Sequence, residues 1–490
     1  MEALPETDRL ATLSPEDWRT LGQRLKAIGY AAEASDPIRT LLSHAVNPQR
    51  APMAKWHARR VTEPWGPALR MLLLSDPVTE AEATAVLGEG LPLQWLLSAG
   101  LLVRTADGML VSPYVTSVAG KKVFLCDHLS SGEEAVMGPS LTTLQLVRAS
   151  RPTRRAKSAL DVGCGAGTAA ILLAPDCDRV VATDISARAV DLARVNVWMN
   201  DVGNVDVRLG DLFAPVEGET FDLVVAQPPC LAHPPDSPAT TFLVGGSRGD
   251  ELALRMLREL RPHLAPGGTA VMLMEWPILE GDLPLPDRLG HALEAGDASL
   301  LVVLAESPDV RDDHCKHYAT LLEPSMGEAW EREAIRRRDH FERLDLRELR
   351  SSLTVVRRSW DGVAGWISVV PSRRFASARI TRQRLDAMIA ARDLDATGTQ
   401  ALRVARLRVA DSVTFTQRSG RFFATFGEDG IGEDMVLDEN AMALLQGVHT
   451  SRTVGEALDS LAARFGQPEV ADEGLAVVQN ALLAGLLEAG

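Results

Sequence analysis

The sequence predicts an α/β protein: a Rossmann-like core of about seven strands, with an N-terminal helical and winged-helix-like region and a C-terminal small α+β domain. Short apolar runs at 159–162, 179–183, 204–208, 222–226, 269–274, 301–304 and 352–357 recur along the middle of the chain. Helical stretches separate the first of them, a cadence that suits a largely parallel sheet. The run Ala159-Leu160-Asp161-Val162 leads into Gly163, Gly165 and Gly167, so a buried strand turns tightly into a helix opening near Thr168. That turn is expected to present free backbone N–H groups at a strand end, where an open α/β sheet forms its ligand crevice.

The 490 residues are enough for roughly three domains. Hydrophobic residues make up 46% and charged residues 24%, the balance of a globular chain. With 51 basic and 66 acidic residues the formal charge is −15, which disfavours nonspecific binding to nucleic acid or anionic membranes. No apolar run reaches membrane length, and the acidic start MEALPETDRL has neither the basic nor the apolar region of a signal peptide, so the expected compartment is cytoplasmic. The cysteines at 126, 164, 177, 230 and 315 are too scattered for a disulfide framework. His314, Cys315 and His317 lack a second clustered ligand set, and no metal is expected. A homodimer is left open.

Residues 1–150 form an expected substrate-selecting or lid domain. Helical patterns cover 15–32, 36–46 and 65–75; Thr79 with Glu82 suggests a capping box, and Leu93, Leu96, Leu97, Leu101 and Leu102 an apolar helix face and its exit. Two short strands about Asp107-Gly108 resemble a wing, but the segment carries little of the basic charge that nucleic-acid reading needs. Residues 151–370 carry the α/β signal. Their entry, Arg151, Arg154, Arg155 and Lys157, reads as a solvated strand entry or a site for an anionic partner.

Residues 371–399 are expected as a linker and 400–490 as a third unit. That unit reads as a hairpin about Ser419-Gly420, a helix capped by Asp438 and two further helical segments. LDENAMALLQG, TVGEAL and the terminal GLL resemble PqqD-like winged-helix domains. The resemblance implies peptide docking; a structural cap or dimerisation module is the alternative.

Within 151–370, Asp184 ends the run RVVATDIS, where a carboxylate can accept from both hydroxyls of a ribose. Asp211 follows a strand and a glycine in VDVRLGDLF; it can accept from an exocyclic amine while Leu212 or Phe213 covers a ring face. DVGCGAG alone leaves a nicotinamide dehydrogenase open, yet its alternating glycines resemble the class I methyltransferase loop more than the dinucleotide fingerprint. With QPPC at 227–230, residues 159–275 resemble class I S-adenosyl-L-methionine-dependent methyltransferases, in the HemK/PrmC-like and methyltransferase small domain group. The resemblance implies S-adenosyl-L-methionine as cofactor, held by Asp161, Gly163, Gly165, Gly167, Asp184, Ile185, Asp211 and Leu212. It places Gln227, Pro228 and Pro229 on the catalytic motif.

The prolines restrict the backbone after the strand, so the Gln227 side chain can hold an acceptor's N–H groups; alternatively it supports the loop and backbone carbonyls do the positioning. Gln227 stands where the group has Asn, Asp or Ser, and Cys230 where it often has an aromatic ring, so amine, amide, hydroxyl and carboxylate acceptors stay open. Cys230, His233, Arg248 and Glu275 are the candidate substrate-binding residues. The segment 123–147 resembles a bridge over the cofactor pocket, with a turn at Gly138-Pro139-Ser140, hydroxyls at Thr142 and Thr143, and a polar pair in Asp127 and His128.

The expected activity is methyl transfer to nitrogen or oxygen of a peptide, a peptide-derived natural product or a specialised small molecule. The alternatives are a protein-glutamine or ribosomal nitrogen methyltransferase and a noncatalytic binding protein that keeps the crevice.

Overall fold

The computed structural model describes residues 4–31, 51–128, 132–237, 241–294, 296–306, 311–323, 325–360, 364–372, 375, 379–427, 431, 434–467 and 469–490. The helical pattern at 36–46 lies outside the described residues.

The central sheet has eight strands: β1 Ala156–Val162, β2 Cys177–Asp184, β3 Val205–Leu209, β4 Phe221–Ala226, β5 Leu264–Leu279, β6 Ala298–Ala305, β7 Leu346–Arg358 and β8 Ile367–Ser372. Their order is β8-β6-β7-β5-β4-β1-β2-β3. Every pairing is parallel except those of β7, which runs antiparallel to β5 and β6. All seven expected runs are strands. The eighth, ISVVPS, carries Pro371, which an edge strand accommodates because it needs no ladder hydrogen bond on its open side.

Both faces of the sheet are covered, which is why β6, ASLLVVLA, is apolar without alternation and buried throughout. On β5 the pleat still sorts the side chains. Met272, Met274 and Trp276 pack with helices α4 Glu251–Leu260 and α5 Leu285–Leu293. Val271 and Leu273 face the other way, onto Leu146 and Ala149 of α1 Leu141–Ser150. Helices α2 Thr168–Leu173 and α3 Ala187–Met199 follow β1 and β2. Helices α6 Arg311–Leu322 and α7 Glu328–Arg343 lie between β6 and β7. Between β3 and β4 the chain passes to the far side of β1, so the sheet order reverses at the carboxyl ends of β1 and β4, the place where such sheets open a crevice.

The N-terminal unit contains helices Pro15–Ala27, Ala51–Ala58, Trp65–Leu72, Glu80–Leu87 and Leu93–Ser98. The Thr79 and Glu82 capping box forms, and strands Val103–Arg104 and Leu110–Val111 pair about the Asp107-Gly108 turn. A second hairpin, Val115–Ala119 with Lys122–Cys126, lies against α3. There Asn196 and Asn200 act as substitutes for a neighbouring strand. Asn196 accepts from the Leu125 N–H at 2.6 Å and donates to the Leu125 and Ala166 carbonyls at 2.9 Å; Asn200 accepts from Val123 N–H at 3.0 Å and donates to its carbonyl at 2.6 Å. Helix Pro15–Ala27 crosses α3 so closely that a Cβ on Gly22 would sit 1.8 Å from the Met199 carbonyl oxygen.

The stretch 371–399, expected as a linker, holds α8 Arg382–Ala396, because Leu385, Met388 and Ile389 recur at helical spacing and bury against the α1 face of the sheet. Its buried arginines reach the C-terminal unit: Arg392 donates to the Leu483 carbonyl at 2.8 Å, and Arg384 to the Ile431 carbonyl at 3.3 Å and to the Gly485 carbonyl. In that unit strands Val413–Arg418 and Arg421–Phe426 turn at Ser419 and Gly420, both left-handed as a tight hairpin requires. Asp438 caps helix Glu439–Thr450 as expected, and helices Val454–Phe465 and Val470–Leu483 complete the core. Among the described residues no helix is long and apolar enough to cross a membrane.

The α3 interface sets a test. Asn196→Ala strands the buried Leu125 N–H, and Gly22→Ala forces two helices apart; each is expected to cost about 1–3 kcal/mol. Urea denaturation followed by tryptophan fluorescence, with Trp18 buried in this core, is expected to show lower midpoints for both variants. Midpoints equal to the parent's would refute the interface as described.

Candidate active site

The glycine loop is tied down by its own hydrogen bonds. Gly163 and Cys164 donate their N–H groups to the Thr183 carbonyl at 2.8 and 2.9 Å, Gly165 donates to Asp184 Oδ2 at 2.8 Å, and Gly167 donates to the Cys164 carbonyl at 2.8 Å. These four donors are engaged within the protein, which fixes the path of the loop. Gly163, Gly165 and Gly167 all have left-handed φ, at 71°, 52° and 75°. A Cβ on Gly163 would meet nothing within 4 Å, the mark of a cradle kept open.

Asp161 is buried beneath this loop and accepts from the Ala170 N–H at 2.9 Å, which ties β1 to α2; burial pushes its carboxyl up to about 7. Asp184 uses both oxygens, Oδ2 for Gly165 and Oδ1 for Ser186 N–H at 2.9 Å, and burial raises it as well. Ile185 beside it is 62% exposed. The Gly210 N–H donates to the Asp184 carbonyl at 2.9 Å, which carries the next loop across to the same wall. There Leu212 is left-handed at φ 44°, and Asp211 Oδ2 pairs with Arg255 Nη2 at 2.7 Å. A cavity of about 1290 Å³ runs from this wall past Gln227, Pro228, Pro229 and Cys230 to Glu275.

Gln227 is held by both ends of its amide. Thr143 donates its hydroxyl to Oε1 at 3.0 Å, and Nε2 donates to Thr142 Oγ1 at 2.8 Å. Both threonines sit in the first turn of α1, and Ser140, its cap, lies 2.8 Å from each hydroxyl. Cys230 lies against the Glu275 backbone amide, and burial together with the Glu275 charge pushes its thiol up, which makes it a neutral wall rather than a nucleophile.

Glu275 lines the cavity, as do His317 and Tyr318 of α6, two residues for which HCKHY gives no local signal because only the packing of α6 brings them there. His233 and Arg248 do not line it. Arg248 is held by Asp282 and Asp250, so its charge is already matched, and the His233 N–H donates to the Gly246 carbonyl. Asp127 pairs with Arg188 of α3 and accepts from Val136 N–H at 2.9 Å, and both Asp127 and Val136 line the cavity.

The strand order, the open cradle and the acids ending β2 and following β3 define the fold of a class I S-adenosylmethionine-dependent methyltransferase. Residues 141–278 match the methyltransferase small domain family. Release factor glutamine methyltransferase from Xylella fastidiosa is 38% identical over 130 residues, 24% of this chain and 46% of that protein. Ribosomal protein uL3 glutamine methyltransferase from Bradyrhizobium diazoefficiens is 36% identical over 121 residues, 22% of this chain and 38% of that protein. A crystal structure of ribosomal protein L11 methylase from Lactobacillus delbrueckii subsp. bulgaricus aligns at 25% identity over 29% of this chain and 64% of that one, with a TM-score of 0.23. The chain thus spans less than half the length of these two glutamine methyltransferases, and its central domain is related to theirs.

The site fits the cofactor of that class. The Gly163 cradle leaves room for a chain, Asp184 has acceptor capacity beyond its two N–H partners, and Ile185 and Leu212 supply apolar cover. Asp184→Ala is therefore expected to weaken binding of S-adenosylhomocysteine at least about tenfold, read by calorimetry. Asp161 gives a separate, pH-resolved test. Its folded carboxyl titrates near 7, above the ordinary value of 3.8, so stability is lost as pH rises between these two values and the loss is complete above the upper one. Asp161→Asn removes that loss, so its denaturation midpoint relative to the parent is expected to rise from about pH 5 to about pH 8. A constant difference would show that the carboxyl titrates normally.

Proposed function

We propose that this chain is an S-adenosylmethionine-dependent N-methyltransferase whose acceptor is a carboxamide nitrogen of a protein or peptide. The clamped amide of Gln227 carries the reading. Thr143 occupies one acceptor position of Oε1, and Thr142 takes one N–H of Nε2. One acceptor position and one N–H remain, the complement of a carboxamide's own N–H and carbonyl. The relation to glutamine methyltransferases supports the same acceptor and favours it over a peptide-derived natural product or specialised small molecule.

S-adenosylmethionine supplies a sulfonium-bound methyl carbon that takes the acceptor's electron pair while the carbon–sulfur pair stays on sulfur. The chain's own work is orientation. Gln227 has one methylene more than the Asn of related motifs and so more rotamers to restrain; the two threonine hydroxyls remove that freedom before an acceptor arrives. Cys230 leaves a compact wall where a stacked ring would stand. In this reading residues 1–150, which line the cavity through Tyr30, Leu69 and Leu73, select the acceptor, and residues 400–490 dock the polypeptide that carries it.

The test is transfer of isotopically labelled methyl to purified release factors, ribosomal proteins and glutamine-containing peptides, with the modified atom located by mass spectrometry. Gln227→Ala is expected to slow transfer about a hundredfold without weakening S-adenosylhomocysteine binding. Joint replacement of Thr142 and Thr143 by valine is expected to slow it about tenfold, with rescue by serine at both positions. Full activity in Gln227→Ala, or label on a hydroxyl or carboxylate oxygen, would overturn the reading.

A further inference from the structure

The cavity that Gln227 lines also carries a polar group that the clamp does not use. Glu275 lies on β5 just beyond the pairing of Met272 with Ala226, the residue before Gln227. Strand alternation puts its side chain on the same face as Val271 and Leu273, the face covered by α1, whose first turn holds Gln227. Glu275 therefore points to the side of the sheet from which the acceptor nitrogen is oriented.

Its carboxylate is anchored by one hydrogen bond and flanked by one imidazole. Ser351, its cross-strand partner on β7, donates to Oε1 at 3.0 Å, and His314 Nε2 lies 3.2 Å from Oε2. The His314 ring is itself wedged against Tyr318, with ring centroids 4.6 Å apart. A carboxylate only accepts hydrogen bonds, and this one lines the cavity with lone pairs beyond those two contacts. The Glu275 side chain is only 21% exposed, and an anion so far withdrawn from water is costly to hold unless a donor or cation meets it.

We propose that Glu275 is the group that receives the acceptor's N–H and takes its proton, with Ser351 and His314 as its positioning residues. The inference rests on the methyltransferase reading above. As the nitrogen pair goes to the methyl carbon, the N–H bond breaks with its electrons left on nitrogen, and the proton passes to a Glu275 oxygen. The same carboxylate repels a carboxylate acceptor, which needs no base, so the site selects neutral or cationic nucleophiles that carry a proton.

The arrangement can be tested before the acceptor is known. Sinefungin carries a protonated amine where S-adenosylmethionine carries its methyl group, whereas S-adenosylhomocysteine has nothing there, so the ratio of their affinities reads the charge that faces the methyl position. For the intact chain sinefungin is expected to bind at least about tenfold more tightly than S-adenosylhomocysteine. Glu275→Gln should bring the ratio to within about twofold while S-adenosylhomocysteine affinity holds, and His314→Asn should lower it part of the way. A general loss of packing would weaken both ligands together and leave the ratio alone. A ratio that is the same in the parent and in Glu275→Gln overturns the role of Glu275 and leaves the methyltransferase reading standing. Failure of the parent chain to bind S-adenosylhomocysteine removes both.

Discussion

The junction between β1 and β2 organises the rest of the molecule. The Thr183 carbonyl accepts from the N–H groups of Gly163 and Cys164, and the Asp184 carboxylate bridges Gly165 to Ser186. These bonds stitch the loop leaving one strand to the end of its neighbour and set where α2 and α3 begin. Without them the left-handed glycines would be three independent swivels, each with backbone entropy to lose on binding. With them the cradle is formed in advance. Asp161 adds the matching tie from below, a buried carboxyl holding the first turn of α2.

From α3 the organisation passes outward. The face of α3 that does not pack on the sheet contributes Ala189, Leu192, Val195 and Met199 to the core of the N-terminal unit, so the unit that roofs the cavity and the helix that follows Asp184 share one hydrophobic cluster. On the other side of the sheet α1 has a comparable double duty. Its buried side packs on β5, and its first turn immobilises Gln227. The Asp184 wall and the Gln227 wall are thus each attached to a helix that packs into a core, which is how loop residues come to have fixed positions.

What could be read from the sequence follows the range of the interactions. The glycine cradle, Asp184, Asp211 and Gln227 are announced by short patterns because their neighbours in space are neighbours in the chain or at the ends of adjacent strands. Asn196 and Asn200 look like ordinary polar residues on a helix; only the edge of strand Lys122–Cys126, far away in sequence, gives them a purpose. Helix α8 was hidden by its charges, since Arg384 and Arg392 suggest a solvated segment until the carbonyls that receive them are known. The same holds at the site. Arg248 resembles an anion binder in isolation, but Asp250 and Asp282 have already matched its charge. Glu275 was legible as a residue near a strand end, and the partners that aim it were not.

The close crossing at Gly22 has a consequence for how such a chain can diverge. Any side chain there collides with backbone, and the amides of Asn196 and Asn200 match one particular strand edge. The roof over the cavity therefore cannot be traded for an unrelated module by recombination at a loop, because its seat is written into a helix that packs on the central sheet. Divergence in a lineage of this architecture should accumulate as substitutions in the roof's inner surface, with the seat inherited as a block.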